Sequence, residues 1–360
     1  MMQHDELITS PTEKSPLLFE AAKPAEASAK ETQVDVSIVI VSFNTRQCLE
    51  QCLSSLFASG TVVSMEILVV DNGSTDGSCS MVAERFPTVR LMVNSDNVGF
   101  ARASNQGIKA ANGQFVLLLN SDVIVPPGTV DRLIGFMWVT SDCGIAGTKL
   151  LNSDGSFQAS YARFPSLVGE FLLATRLHLV THGAHFPSYP SEKSDAVCEA
   201  DWVGGACLVA RREAIEEIGS LDEDFFMYGE EVDWCYRMKK SGRWKVYYLP
   251  DAPVVHLGGQ STVGRRGEKR VLVYRGKLLF FRKHYRLPSV IALRCLYTLT
   301  CILKLALSAI NRPSSRQDAT SYKQIIAQSL FDHGPLPTSD CRGGFGRLQE
   351  KQRGTMRRGS

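Results

Sequence analysis

The run Val36-Ser-Ile-Val-Ile-Val-Ser42 constrains the fold more than any other feature, because Val and Ile dominate it with no polar residue alternating through its centre. A half-exposed strand alternates apolar and polar residues, whereas a continuous β-branched run belongs to a strand covered on both faces. Such strands sit in parallel sheets, whose long crossovers lay helices over the sheet. The chain downstream supplies those crossovers, with helices expected over about 46–58, 77–86, 99–111 and 127–140, between strands over 65–71, 89–93 and 114–120. The pattern predicts a doubly wound α/β half of Rossmann-like kind.

In open sheets of this kind ligands bind beyond the carboxyl ends of the strands. Here each strand ends in polar residues: Ser42-Phe-Asn44, Asp71-Asn-Gly73, Asn94 to Asn97 and Asn120-Ser-Asp122. These ends are expected to converge on one pocket. After residue 144 the alternation lapses into a mixed second half, with a helix near 167–180, a loop over 181–195, a strand over 201–210, helices over 211–219 and 230–241, and short strands over 244–249 and 253–256.

The flanks differ from this core. Residues 1-33 are rich in Ala, Glu, Lys, Pro, Ser and Thr without periodicity, so a disordered tail is expected there, followed by the main domain over 34-262. They hold no charged and then apolar segment of the secretory kind, so the main domain is expected to stay in the cytoplasm. From Arg265 to Arg286 the chain is densely basic, and residues 289–310 are mostly apolar yet carry Arg294 and Lys304. The two stretches together read as membrane-associating helices over 263-311, lying in the plane of the membrane rather than spanning it. Residues 312-360 read as a disordered basic tail. A formal net charge of +3 implies no bulk nucleic-acid binder, and the cysteines, with no CxxC pair, read as buried thiols.

Several residues are suited to binding and proton-transfer chemistry. Asp71 closes a buried strand where a base or ribose could be bonded. Asn97-Val-Gly-Phe-Ala-Arg-Ala-Ser-Asn105 sets Gly99 at a helix start, with Arg102 and Asn105 in the first two turns, which suits a diphosphate. Leu117-Leu-Leu-Asn-Ser-Asp122 brings Asp122 out of an apolar strand as a hard oxygen ligand for Mg²⁺ or Mn²⁺. In Phe225-Phe-Met-Tyr-Gly-Glu-Glu-Val-Asp-Trp-Cys-Tyr-Arg237, clustering of Glu230, Glu231 and Asp233 would raise one pKa and make a general base. His256 is a neutral ligand or phosphate donor. Each also has a bland reading as a turn residue, cap or helix-dipole partner.

Taken in order, these motifs resemble glycosyltransferase family 2, over about residues 35–285. Within that family the chain is most similar to bacterial rhamnosyltransferases, through Asn120-Ser-Asp122, Asp154-Gly-Ser-Phe-Gln-Ala-Ser160, Arg163-Phe-Pro165 and Asp201-Trp-Val-Gly-Gly-Ala-Cys207. The resemblance implies a GT-A fold with a mixed sheet. It implies inverting transfer from a nucleoside-diphosphate sugar, dTDP-L-rhamnose or similar, to a glycan or lipid-linked acceptor, with Mg²⁺ or Mn²⁺, at the cytoplasmic face of the inner membrane. It assigns nucleotide-sugar binding to Ser42, Asn44, Asp71, Asn97, Gly99, Arg102, Asn105 and Asn120, and metal binding to Asp122 and His256. The acceptor side falls to Arg163, Trp202 and Gly204, and catalysis to Glu231, with Glu230 and Asp233 as further carboxylates. The chain departs from the family pattern at Asn120, where an acid is usual, and at Glu231, where Asp is usual.

Two alternatives stay open from sequence: a transferase using a UDP-hexose, and a non-catalytic glycan- or nucleotide-sugar-binding scaffold of the same fold. A dinucleotide oxidoreductase is excluded by the lack of G-x-G-x-x-G after the first strand.

Overall fold

The computed structural model of the chain describes residues 34–177, 195–258, 266–311 and 316–331. The tail expected over 1-33, the loop over 181–194 and the chain after 331 lie outside the described residues.

Strand β1 (Val36–Ser42) pairs in parallel with β2 (Met65–Asp71) on one side and β4 (Phe115–Asn120) on the other, and β3 (Arg90–Val93) extends the sheet beyond β2. The crossovers are α1 (Arg46–Ala58), α2 (Ser78–Arg85) and α3 (Phe100–Ala110). Alternation along β1 explains why it is apolar throughout. Ile38 and Ile40 join a core with Leu49 and Leu53 of α1 and Met81 of α2, whereas Val39 joins one on the opposite face with Ala101 and Ile108 of α3.

Beyond β4 the sheet turns mixed. After β5 (Val123–Ile124) and α4 (Thr129–Val139), β6 (Cys143–Leu151) enters the sheet. β11 (Cys207–Arg211) lies antiparallel between β4 and β6, and β12 (Lys245–His256) runs parallel to β6. The order is β3-β2-β1-β4-β11-β6-β12-β5. β7 (Phe157–Gln158) adds to β6 and β9 (Cys198–Glu199) adds to β12, making ten strands among the described residues. A separate pair joins β8 (Tyr161–Ala162) to β10 (Trp202–Val203). Helices α5 (Leu167–Thr175), α6 (Arg212–Ile218) and α7 (Glu230–Lys240) complete this part. The mixed α/β, GT-A architecture is as expected.

The local differences have physical reasons. The strand expected over 201–210 is two strands in different sheets, parted at Gly204-Gly205. The pair expected over 244–249 and 253–256 is the single β12, whose prolines shift the register between Leu249 and Val254 without ending it. β5, beside Pro126 and Pro127, is too short for its two residues to announce it. It pairs antiparallel with the end of β12, His256 opposite Val123.

The chain ends in three helices, α8 (Arg266–His284), α9 (Leu287–Asn311) and α10 (Arg316–Phe331). Helix α10 corrects the reading of 312-360 as a structureless tail. Tyr322, Ile325 and Ile326 follow helical spacing and pack into a third core with Phe280, Phe281, Leu293 and Tyr297. That short periodic segment is lost when composition is averaged over the whole tail.

The basic run is likewise not one lipid-facing patch. Lys277 bonds Glu170 at 2.8 and 2.9 Å, Arg270 bonds Asp318 at 2.9 Å, Lys283 pairs with Asp222, and Arg275 is buried. Arg282 and Arg286 stay exposed.

Candidate active site

A cleft of about 540 Å³ opens at the carboxyl ends of β1, β2 and β4. It is walled by the Asn120-Ser-Asp122 segment, Trp202 and Gly204 to Ala206, the Phe226-Met-Tyr228 loop with Glu230 and Glu231, His256, and one face of α8.

At one end, backbone pairing brings Asp122 to His256. The β5–β12 pairing and a bond from Leu257 N to the Asp122 carbonyl at 2.9 Å leave His256 Nε2 3.2 Å from Asp122 Oδ1. The tautomer follows from the network behind it. The Gln158 amide nitrogen donates to Asn152 Oδ1 at 2.9 Å, which turns Gln158 Oε1 toward His256 Nδ1 at 2.6 Å. An acceptor there requires Nδ1 to carry the proton. When the imidazole is neutral, this tautomer aims the Nε2 lone pair at a carboxylate oxygen, an arrangement that repels unless a cation lies between. Asn120 Nδ2 is 3.4 Å from the same nitrogen, and an amide flip would present Oδ1 instead.

The donor set of one carboxylate, one imidazole and one amide fits a divalent cation such as Mg²⁺ or Mn²⁺ whose remaining ligands come from substrate oxygens. Among the described residues no group of three or more His, Cys, Asp or Glu assembles, so these residues offer a partial shell.

At the other end, Tyr228 (φ 71°) and Gly229 (φ 105°) make a left-handed turn into α7. Glu231 Oε2 accepts from Gly229 N at 3.0 Å, and its side chain lies against Gly205, where a Cβ would stand 3.6 Å from Glu231 Cβ. Burial raises the Glu231 carboxyl above its ordinary range. Glu230, 5% exposed, is raised well above that range by burial and then by the charge of Glu231. A carboxylate raised in this way is a stronger base than an ordinary one, which suits it to taking a proton. Asp233 does not share the cleft. It is fully buried on the far side of α7, bound to Arg237 Nε and His284 Nε2, each at 2.7 Å, so it ties α7 to α8.

The other expected residues divide between cleft and scaffold. Asn97, Asn120, Trp202 and Gly204 line the cleft; Ser42, Asn44, Asp71, Gly99, Arg102, Asn105 and Arg163 do not. Ser42 is the buried start of a hydroxyl chain through Thr45 to Ser121, at 3.3 and 2.9 Å. Asn44 (φ 52°) accepts from Thr75 N at 2.8 Å, and Asp71 Oδ1 accepts from Ser74 N at 2.7 Å, so both organise the loop after β2. The other Asp71 oxygen is buried beside the Cys79 thiol, whose pKa is raised to about 11 by burial and by Asp71.

The start of α3 is not open to an anion in the way the sequence predicts. Gly99 N donates to Asn97 Oδ1 at 3.0 Å and Phe100 N to the Phe226 carbonyl at 2.7 Å. A Cβ on Gly99 would stand 2.7 Å from that carbonyl, so the glycine serves the contact with the 226–228 loop. Arg102 is exposed and near Glu223, while Asn105 bonds the Leu221 backbone in both directions. The Arg163 carbonyl accepts from Trp202 Nε1 at 2.9 Å, which orients the indole. Gln158 and the α8 residues Glu268, Lys269 and Leu272 join the site although sequence reasoning does not single them out. Gln158 lies inside the Asp-Gly-Ser-Phe-Gln motif, whereas nothing local marks the α8 residues.

Residues 37–190 match the family model for glycosyl transferase family 2. The chain is 31% identical over 237 residues to the N-acetylglucosaminyl-diphospho-decaprenol L-rhamnosyltransferase of Mycobacterium tuberculosis, covering 62% of this chain and 76% of that protein. It is 25% identical over 210 residues to the low-salt glycan biosynthesis hexosyltransferase Agl10 of Haloferax volcanii, 57% of this chain and 62% of that one. Among solved structures, a mannosyltransferase from Pyrobaculum calidifontis in complex with GDP-Man and Mn²⁺ is similar with a TM-score of 0.49 and 16% identity, over 84% of this chain and 90% of that one. The chain is a sugar-transferring enzyme, and it belongs to glycosyltransferase family 2.

Proposed function

We propose that the enzyme transfers L-rhamnose from dTDP-L-rhamnose, with inversion, to a hydroxyl of a lipid-linked or polysaccharide glycan at the membrane surface. The observation that carries this reading is the disposition of the two ends of one cleft: Asp122 and a lone-pair-forward His256 at one, Glu231 with its raised pKa at the other. Asp122 and His256 would hold a Mg²⁺ or Mn²⁺ ion, which would supply charge stabilisation for a departing diphosphate. Gln158 keeps the imidazole in the tautomer that can ligate. Glu231 takes the proton of the attacking hydroxyl, its carboxylate held by Gly229 N so that one oxygen stays available. Asn72, which lines the cleft after β2, serves the nucleotide, with the buried Asp71 beside it fixing the loop. The similar M. tuberculosis protein, named for rhamnosyl transfer to a diphospho-decaprenol acceptor, supports both the sugar and the acceptor class.

The membrane side of this reading rests on α9. This helix is long and apolar enough to cross a bilayer, Leu287–Leu307 having a mean hydropathy of 1.9. Its buried face nevertheless carries Arg294, bonded to the Ser329 carbonyl at 2.5 Å, and Tyr297, bonded to Glu170 at 2.8 Å. Spanning would strip these groups of their partners, at several kcal/mol. Its outward face, including Ile291, Leu299, Ile302, Leu303 and Leu307, is apolar and exposed, so α9 lies on the bilayer with Arg282 and Arg286 at its N-terminal end to meet anionic headgroups. The leaflet is the one facing the cytoplasmic nucleotide-sugar pool.

The test is release of nucleoside diphosphate from dTDP-rhamnose, UDP-hexoses and GDP-sugars by the full chain with Mn²⁺, Mg²⁺ or EDTA, in the presence of a prenyl-diphosphate-linked N-acetylglucosamine. Turnover of dTDP-rhamnose, lost in Glu231→Gln, is expected. Preference for a UDP-hexose would replace the sugar, and nucleotide binding without turnover would favour the scaffold.

A further inference from the structure

The cleft is acidic, lined by Asp122, Glu230, Glu231 and Glu268, and among the described residues its lining holds a single lysine or arginine, Lys269. An enzyme that handles phosphorylated substrates in an acidic cleft needs cationic groups for them. The cation at Asp122 and His256 answers for one diphosphate. Lys269 stands elsewhere, on the side of Glu231, its ammonium 5.6 Å from the centre of the Tyr228 ring. Tyr228 leads directly into the turn before the two glutamates, so Lys269 stands at the end of the cleft that holds Glu231.

The position is fixed by packing. Lys269, Leu272 and Gly276 fall on one face of α8 at spacings of three and four. A Cβ at Gly276 would stand 2.1 Å from the Tyr228 carbonyl, so the helix backbone is pressed against the 228–229 turn at that point. Lys277 on Glu170 and His284 on Asp233 hold the rest of α8. Lys269 lies two turns before the Gly276 contact, about 10 Å along the axis, at the mouth of the cleft. No ion pair with a described residue engages its ammonium. Helix α8 also packs on α9, whose apolar face is turned outward, so the same element joins the cleft mouth to the surface we assign to the bilayer.

We propose that Lys269 is a phosphate subsite for the acceptor: its ammonium binds the phosphate or diphosphate through which a membrane-anchored acceptor sugar is attached to its lipid. This rests on the glycosyl-transfer reading, with Glu231 marking the acceptor side. The same chemistry exists in the donor's diphosphate, and the two sources are separated by kinetics.

Transfer by the full-length enzyme is measured with two acceptors carrying the same sugar, farnesyl-diphosphate N-acetylglucosamine and octyl N-acetylglucosaminide, for wild type, Lys269→Gln and Lys269→Arg. Loss of one charged hydrogen bond should raise KM for the diphosphate acceptor about tenfold in Lys269→Gln. KM for the octyl glycoside and for the donor should stay within about twofold, and Lys269→Arg should recover most of the loss. Equal effects on the two acceptors would overturn the assignment, and so would an effect confined to the donor, which would put the nucleotide diphosphate there instead. Calorimetric binding of the diphosphate acceptor to wild type and Lys269→Gln tests the subsite without turnover: weaker binding by the variant supports it and equal affinities refute it, whereas absence of turnover in wild type refutes the transfer reading.

Discussion

Asp233→Ala separates a structural carboxylate from a catalytic one. Both of its oxygens are engaged, Oδ2 by Arg237 and Oδ1 by His284, with Lys283 Nζ at 3.9 Å, and its side chain has no exposure. Arg237 also donates to the Ile218 and Ser220 carbonyls, at 3.0 and 2.7 Å, so its guanidinium cannot swing to water when the carboxylate goes. Removing one partner of such a buried pair costs about 3 kcal/mol or more. That is a large share of a total of about 5–15 kcal/mol and lowers Tm by roughly 5 °C or more. Asp233→Asn, which keeps the volume and one acceptor oxygen, should lose less. The assay is thermal and urea unfolding, paired with the rate of sugar transfer per folded molecule well below the transition. A variant as stable as wild type but slowed a hundredfold would refute the assignment and make Asp233 a candidate base again.

The cleft itself supplies the other tests. Glu231→Gln should lower kcat about a hundredfold or more while leaving nucleotide affinity unchanged by calorimetry. Because burial raises this carboxyl above its ordinary 4.5 and the base must be ionised, kcat/KM in the wild type should fall as pH drops through the raised value, with an acid limb above pH 4.5; a limb at or below that pH would contradict the reading. Gln158→Ala removes the acceptor that holds the His256 tautomer and should weaken activation by Mn²⁺ about tenfold, measured by metal titration. Leu299→Glu with Leu303→Glu should abolish sedimentation with phosphatidylglycerol vesicles while changing stability by only about 0.5 kcal/mol per site; retained binding would remove α9 from the membrane face.

The N-terminal half is legible almost residue by residue because its signals are local. A strand buried on both faces must be apolar throughout, and the helices between such strands carry 3.6-residue periodicity, so β1 to β4 and α1 to α3 fall where the pattern puts them. The second half is less legible because its strands are short and take their partners from afar. β5 is two residues long and exists only because β12 arrives beside it from more than a hundred residues away. Helix α10 stands on three apolar residues meeting α8 and α9, contacts that composition cannot report.

The site shows the same division at the scale of one helix turn. Glu230, Glu231 and Asp233 lie within four residues, and sequence offers all three as candidate bases. Successive residues on a helix are rotated by about 100°, so the three carboxylates cannot face one solvent space. Glu231 keeps an open edge in the cleft beside Gly205, Glu230 turns into the wall under the charge of its neighbour, and Asp233 reaches the opposite side to meet α8. What selects among them is the placement of α8, which covers the Asp233 side and leaves the Glu231 side open. That helix follows the last motif of the family pattern, and its sequence alone reads only as a basic membrane segment. One face of α8 thus determines which acid is free to act and which is a strut, and it also carries Lys269 to the mouth of the cleft.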